Sequence, residues 1–217
     1  MSSIYEPIKA QSRVTDSVIV GFSGGKDSVV TLDLCCRYFK TVHVFFMYQI
    51  PGLSFQEASI RYIENRYGVE VLRIPHFELS NFLRYGVFRK PDYNVGIVKP
   101  LDVYTWLRLQ TETWWIAAGE RIADSIVRRA MMKKSGSIDD KRGRFYPVAQ
   151  FTKADIVGYI KHHKLKVSPE SNLLGHSFRS LMPEDLAVIK KHYPEDFHKI
   201  ISWFPFAEAG VFRQSMQ

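Results

Sequence analysis

The chain has 217 residues, 46% hydrophobic and 24% charged, a balance that allows a sizeable core and excludes a disordered or collagen-like polymer. Against 22 Asp and Glu stand 30 Lys and Arg, so the net charge is +8, which points to an anionic partner: a nucleotide, a sulfate or a nucleic acid. The only cysteines, Cys35 and Cys36, exclude a disulfide framework and a four-thiolate zinc or iron–sulfur site.

Taken in chain order, Met1–Gln11 carries no apolar signal stretch, and no apolar run approaches the roughly 18 residues of a membrane span. The expectation is a cytoplasmic chain without membrane contact. Ser17–Phe22 is a continuous, β-branched apolar run and reads as a buried parallel strand. Ser28–Phe39 reads as a helix, Thr41–Tyr48 as a second strand, and Phe55–Tyr67 as a helix stopped by Gly68. Val69–Ile74, ended by Pro75, is a third strand, and Phe88–Pro100, with Pro91, Asn94, Gly96 and Pro100, is a loop. Leu101–Gln110 reads as a helix, Thr113–Ala118 as the fourth strand and Arg144–Val148 as the fifth. Thr152–His163 is a helix that opens on Thr152 with Asp155 three residues later, and Pro183–His192 is the final helix.

Strands alternating with helices give an α/β fold: a doubly wound, mostly parallel five-stranded sheet with helices on both faces. One domain spans 1–217, with a core at about 14–180 and a helical tail at about 181–217. Arg128–Arg144 breaks the rhythm. It holds seven Lys or Arg against two Asp, with Gly136 and Gly143, and reads either as a solvated surface loop or as a mobile lid over a polyanion. Nucleic acid or a partner subunit would be met through it. His162 and His163 close a Lys-rich helix, where cations suit the helix dipole better than they suit a metal site.

The strongest motif is Ser23-Gly24-Gly25-Lys26-Asp27-Ser28, between a predicted buried strand and a predicted helix. Its glycines let the backbone approach an anion, and the following helix offers free N–H groups at its positive end. Ser23 and Ser28 add hydroxyls, Lys26 adds a point charge, and Asp27 either caps the helix or helps to hold a metal ion. The spacing is neither Gly-x4-Gly-Lys-Ser/Thr nor Gly-x-Gly-x-x-Gly. It resembles the Ser-Gly-Gly-x-Asp-Ser pyrophosphatase loop of the adenine-nucleotide α-hydrolase superfamily, whose members typically bind ATP, cleave it between the α and β phosphates and adenylylate a substrate.

A second segment, Gly119-Glu-Arg121-Ile-Ala-Asp-Ser125-Ile-Val-Arg128, resembles the Gly-x-Arg-x3-Ser-x2-Arg motif of the phosphoadenylyl-sulfate (PAPS) reductase family. That family includes PAPS and APS reductases, the small subunit of ATP sulfurylase, FAD synthetases and a DNA-phosphorothioation enzyme. Arg121 and Arg128 are guanidinium forks suited to phosphate or sulfate. Tyr146-Pro147 to Thr152, Asp155 to Ile160, Pro169 and Gly175 resemble the family's later segment, with Phe151 where Trp is usual. The resemblance covers Ser17–Phe178. It departs in two places. The tail has no reductase cysteine, and Ile50-Pro51-Gly52, followed by Glu57, stands where many members have Asp-Thr-Gly.

The resemblance implies an ATP-binding adenylyl transferase that releases pyrophosphate. ATP or a related adenine nucleotide and Mg²⁺ would bind at Ser23, Gly24, Gly25, Lys26, Asp27, Ser28, Gly119, Arg121, Ser125 and Arg128. Lys26, Arg121 and Arg128 would be catalytic and Asp27 the metal ligand. A PAPS or APS reductase, a sulfotransferase-like protein, and a nucleic-acid-modifying or nucleotide-binding module are the alternatives. A homo-oligomer is left open.

Overall fold

Ser17–Phe22 forms β1, and its apolar run is continuous because both of its faces are covered. In the computed structural model, which describes residues 4–178 and 180–214, Val18, Val20 and Phe22 point into one core and Ile19 into another. β1 pairs in parallel with β2 (Thr41–Tyr48), in register Ser17 with Thr41 through Phe22 with Phe46. β2 pairs in parallel with β3 (Val71–Pro75). On its other side β1 pairs in parallel with β4 (Ile116–Ala117), which pairs with β6 (Arg144–Phe145). β5 (Ile138–Asp139) closes that edge antiparallel to β6, so the order is β3-β2-β1-β4-β6-β5. The sheet therefore has six strands among the described residues rather than five. The sixth is two residues long and shows no alternation that a sequence reading could detect. The first three and last three residues of the chain, parts of the predicted N-terminal segment and tail, lie outside the described residues.

α1 (Glu6–Ser12), α2 (Lys26–Tyr38), α3 (Ser54–Tyr67) and α7 (Lys153–His162) contribute to the core on one face of the sheet. α5 (Pro100–Thr111) covers the other with Val103 and Leu107. The stops and caps act as their residue types dictate. Gly68 ends α3 at φ 64°, a left-handed conformation, and Thr152 and Asp155 form a reciprocal capping box on α7. Four further helices build a second core with the β2–α3 connection: α4 (Phe77–Tyr85), α9 (Pro183–His192), α10 (Pro194–Trp203) and α11 (Glu208–Gln214). Pro183–His192 is thus a helix at its expected bounds but not the last one. Asp196 of α10 caps α3 from outside: it accepts from Ser54 N at 2.9 Å and from Ser54 Oγ at 2.5 Å.

The basic stretch is not an irregular loop but regular structure. Its first half completes α6 (Ile126–Ser135), and the rest is the β5–β6 hairpin with a 3-10 turn at Asp140–Arg142. Met132 is buried and pins α6 beside Tyr146 and Ala149. Phe88–Pro100 is irregular, as read. No helix among the described residues is long and apolar enough to cross a membrane.

One polar network lies inside the larger core. Asp33 of α2 is 1% exposed and accepts from Arg37 Nε at 2.6 Å, Tyr67 Oη at 2.6 Å and Tyr159 Oη at 2.7 Å. It ties α2 to α3 and α7. Burial pushes its carboxyl up, but Arg37 and the two phenols outweigh burial and hold it below the ordinary value. A depressed carboxyl contributes stability above its unfolded pKa of about 4, and that contribution is lost as pH falls through the lower folded value. Asp33→Asn is expected to cost about 1–3 kcal/mol in urea unfolding at neutral pH. The gap between variant and wild type should close as the acid is titrated; a gap independent of pH would refute the network's role.

Candidate functional site

The chain leaves β1 for β2 and β3 on one side and returns to β4 on the other. In an open parallel sheet the crevice beyond such a reversal is where ligands bind. Both sequence motifs meet there: Ser23–Ser28 leaves the end of β1, and Gly119–Arg128 follows β4. A cleft of about 810 Å³ opens between them, lined by the phosphate-type loop, by Met47 near the end of β2, by His76 just beyond β3, and by Tyr104 of α5. Gly119 makes the meeting close. A Cβ there would stand 3.2 Å from the carbonyl carbon and oxygen of Asp27.

The loop is held by its own hydroxyls. Ser28 Oγ accepts from Ser23 N at 3.2 Å and donates to Gly25 O at 2.9 Å. Gly24 has φ +76°, which favours glycine, and Gly25 caps α2 with no side chain. The bond from Val29 N to Gly25 O is the first of the helix, so the amides of Gly25 to Ser28 are the unpaired donors of a helix start. Lys26 Nζ lies 2.7 Å from Asp27 Oδ2. Gly24, Gly25 and Lys26 thus sit where an anion would be received. The Ser23 and Ser28 hydroxyls serve first to shape the turn.

The second motif is a chain of alternating charges. Arg121 is 6% exposed, with Nε 3.0 Å from Asp27 Oδ1 and Nη2 2.6 Å from Asp124 Oδ1. The Asp27 contact is ionic only, since neither atom has a hydrogen bond of good angle, and Arg121 Nη1 is buried without a partner. Arg128 Nη1 reaches Asp124 Oδ2 at 3.1 Å, and Arg128 lines the cleft. The two arginines predicted together are therefore split: Arg128 faces the cleft, and Arg121 stands behind Asp27 and Asp124. Ser125 is exposed and caps α6 by accepting from Arg128 N at 3.1 Å. Both oxygens of Asp27 lie against cations, and no group of three or more His, Cys, Asp or Glu among the described residues could hold a metal ion. Among the described residues, the side chains do not by themselves form a metal site.

Sequence reading missed several cleft residues. Asp124 was an unassigned position within its motif. Arg144 stacks on Tyr104, 5.2 Å from the ring centre, and reaches Glu120 at 3.9 Å. His76 caps α4 by accepting from Glu78 N at 3.2 Å through Nδ1, which leaves its ring N–H on Nε2, and burial pushes its pKa down. Ser168, Glu170 and Ser171 at the start of α8 (Pro169–Leu174) lie behind the loop, signalled only by a Ser-Pro helix start. Glu57, at the departure from the family pattern, binds Arg73 at 3.1 Å, and Gly52 O accepts from Lys199; neither residue lines the cleft.

The thiols are remote from this chemistry. Cys35 and Cys36 sit in the last turns of α2, about 13 Å along the helix from its first turn. Burial pushes Cys35 well above the usual thiol range. Burial, with the Asp33 charge, pushes Cys36 up to about 12.

Residues 17–181 match the family described as Phosphoadenosine phosphosulfate reductase domain. No curated protein sequence is a significant match. Among solved structures, the phosphoadenylyl-sulfate reductase from Candida auris in its phosphate complex superposes with a TM-score of 0.56 at 13% identity, covering 82% of this chain and 87% of that one. The U34-tRNA thiolase NcsA from Methanococcus maripaludis, with its four-iron cluster, gives 0.50 at 17% identity, covering 94% and 79%. The NH3-dependent NAD synthetase from Campylobacter jejuni, in complex with nitrate, gives 0.50 at 13%, covering 98% and 91%. At these identities the likeness is one of fold.

The loop's fit to its surroundings can be tested by crowding it. A methyl on Gly25 would overlap Ser177 Oγ, while the Gly25 backbone, at φ −75°, accepts any residue. Gly25→Ala is expected to cost about 1–3 kcal/mol in urea unfolding, as overpacking does, and Gly25→Ala with Ser177→Gly to restore most of it. A double variant as unstable as the single one would sink the steric account.

Proposed function

We propose that this chain, which belongs to the Phosphoadenosine phosphosulfate reductase domain family, binds ATP in the cleft between β1 and β4 and transfers its adenylyl group to an acceptor. The observation that carries this reading is the loop itself: free helix-start amides, a left-handed Gly24 and Lys26 at the mouth of a cleft that holds no thiol. An acceptor oxygen attacks the α phosphorus, the bond from that phosphorus to the bridging oxygen breaks, and pyrophosphate leaves with the electron pair. Such a transfer needs positioning and charge stabilisation rather than a protein nucleophile.

The residues divide that work. The Gly25–Ser28 amides receive the β and γ phosphates at the positive end of α2. Lys26 is 36% exposed on its side chain and exchanges its contact with Asp27 for a phosphate oxygen. Arg128, 40% exposed, turns from Asp124 toward the α phosphate, where negative charge grows as the acceptor attacks. Arg121 stays buried and neutralises the two carboxylates, so that they do not repel the nucleotide. Thiol-based reduction is disfavoured because Cys35 is buried, Cys36 is half-buried, and both thiols are held neutral.

The acceptor has one structural pointer. α6 carries Arg128, Arg129, Lys133 and Lys134 and no acidic residue, beside the cleft mouth. This favours a polyanionic acceptor such as a nucleic acid, whose binding weakens steeply with salt.

Pyrophosphate release from ATP, with and without candidate acceptors, tests the reading. Lys26→Ala is expected to weaken ATP binding by about 1.5–3 kcal/mol, the value of a charged hydrogen bond. The Cys35→Ala, Cys36→Ala double variant should retain turnover. Loss of turnover in a folded double variant would move the protein to thiol chemistry. Unchanged ATP affinity in Lys26→Ala would remove the loop from the site.

A further inference from the structure

Behind the phosphate loop, three buried side chains compete for too few protons. Ser168, Glu170 and Ser171 are 3%, 2% and 7% exposed. Ser168 Oγ lies 3.0 Å from Gly24 O, 2.7 Å from Glu170 Oε1 and 2.7 Å from Ser171 Oγ, and Ser168 N also donates to Gly24 O at 3.1 Å. A serine hydroxyl has one proton and two lone pairs, and a carbonyl only accepts. If Glu170 were ionised, Ser168 would face two pure acceptors with a single proton, and one of these short contacts would be a clash of lone pairs. If Glu170 is a carboxylic acid, each contact has its proton. The acid donates to Ser168 Oγ, Ser171 donates to the second lone pair, and Ser168 donates to Gly24 O.

We propose that Glu170 is a positioning residue of the phosphate loop: as a neutral acid it donates to Ser168, and Ser168 thereby holds the Gly24 carbonyl toward α8. Because the peptide is planar and trans, the Gly25 N–H then points the opposite way, away from α8. The contact is intimate. A Cβ on Gly24 would lie 2.8 Å from Ser168 Oγ and 3.6 Å from Glu170 Oε1, so only glycine lets the acid lie directly beneath the loop. Neutrality also keeps a negative charge from beneath bound phosphates. Burial pushes the carboxyl up, against the pull of Ser168 and of the backbone amides of Glu170 and Ser171, and Oε2 is buried with no partner.

The titratable groups on surrounding elements are few. Tyr193, before α10, is raised chiefly by burial. Asp196 is paired with Lys199, and Lys26 with Asp27. His176 lies 3.4 Å from Asp185 of α9, and Tyr62 of α3 accepts from Lys166 N. Among the described residues, no cation is paired with Glu170.

The effect on nucleotide rests on the ATP-binding reading, so the test has two arms. On nucleotide-free protein, carbon-13 NMR of labelled glutamate carboxyls should show one that titrates above the rest and vanishes in Glu170→Gln. The Gly25 amide should exchange faster in Glu170→Ala but not in Glu170→Gln, whose amide still donates to Ser168. With ATP, wild-type affinity should fall at least fivefold more than that of Glu170→Gln as pH rises through that titration. Below that titration Glu170→Ala should bind at least tenfold more weakly than wild type. No high-titrating carboxyl, or equal exchange in the two variants, overturns the proposal whether or not ATP binds. A wild type that fails to bind ATP but passes the first arm overturns only the ATP reading. ATP binding with identical pH profiles in wild type and Glu170→Gln overturns the positioning role.

Discussion

The cleft depends on how closely the segment after β4 approaches the first turn of α2. Gly119 sits where any side chain would meet Asp27's backbone and Thr31 Oγ1 at 3.2 Å. That approach lets Arg121 reach both Asp27, in the loop after β1, and Asp124, in its own segment. A side chain at 119 would push the two loops apart by tenths of an ångström, and the shared ion pairs would lengthen together. The result is an alternating row: Lys26, Asp27, Arg121, Asp124, Arg128. Its middle is desolvated and its two ends are in water. Paired charges at exposed ends contribute little to stability, so they exchange partners readily. The buried centre does not, because removing a partner there would strand a charge. The row is thus stable without a ligand, and its two end cations can turn to an incoming polyanion.

The loop is also held from behind by parts of the chain far along the sequence. Ser168 grips the Gly24 carbonyl, and Ser177 fills the space that the missing Cβ of Gly25 leaves. The C-terminal helices support this arrangement. Phe178 and Leu181 enter the same core as Phe55 and Ile200, and Asp196 caps α3. A loop whose backbone must present several amides at once loses anion affinity when any one of them wanders. The second core therefore contributes to the site although it supplies little of its surface.

What the sequence made legible follows from the range of the forces involved. β1, β2 and β3 were readable because a strand buried on both faces is a continuous apolar run. α7 was readable because Thr152 and Asp155 state its start. The Ser23–Ser28 loop was readable because glycine, serine and lysine between a strand and a helix have few other uses. Two-residue strands such as β5 carry no period. α4, α8 and α10 begin on His76, Ser168 and Tyr193, of which only His76 uses its side chain as a cap, and their burial is decided by distant residues. The different fates of Arg121 and Arg128 were not legible either. Both fit an anion by type, but exposure is set by the approach of Gly119, a tertiary fact.

The basic stretch shows how an excess of charge can mislead when it is read as a unit. Of its seven cations, Arg128 and Arg144 line the cleft. Lys133 and Lys134 lie in the last turn of α6, where positive charge complements the helix dipole. Arg142 lies 3.8 Å from Asp139, whose carboxylate also accepts from Arg142 N and closes the hairpin turn. Three of the seven thus have a local structural use, and a lid is not needed to account for them. Inside the cleft itself stand Arg128, at the turn from the β4 loop into α6, and Arg144, on the strand beside β4. Both are anchored by elements of the sheet region rather than by a mobile segment. The electropositive character of the cleft is therefore built into the fold before any ligand arrives, which is the condition under which charge stabilisation costs least reorganisation.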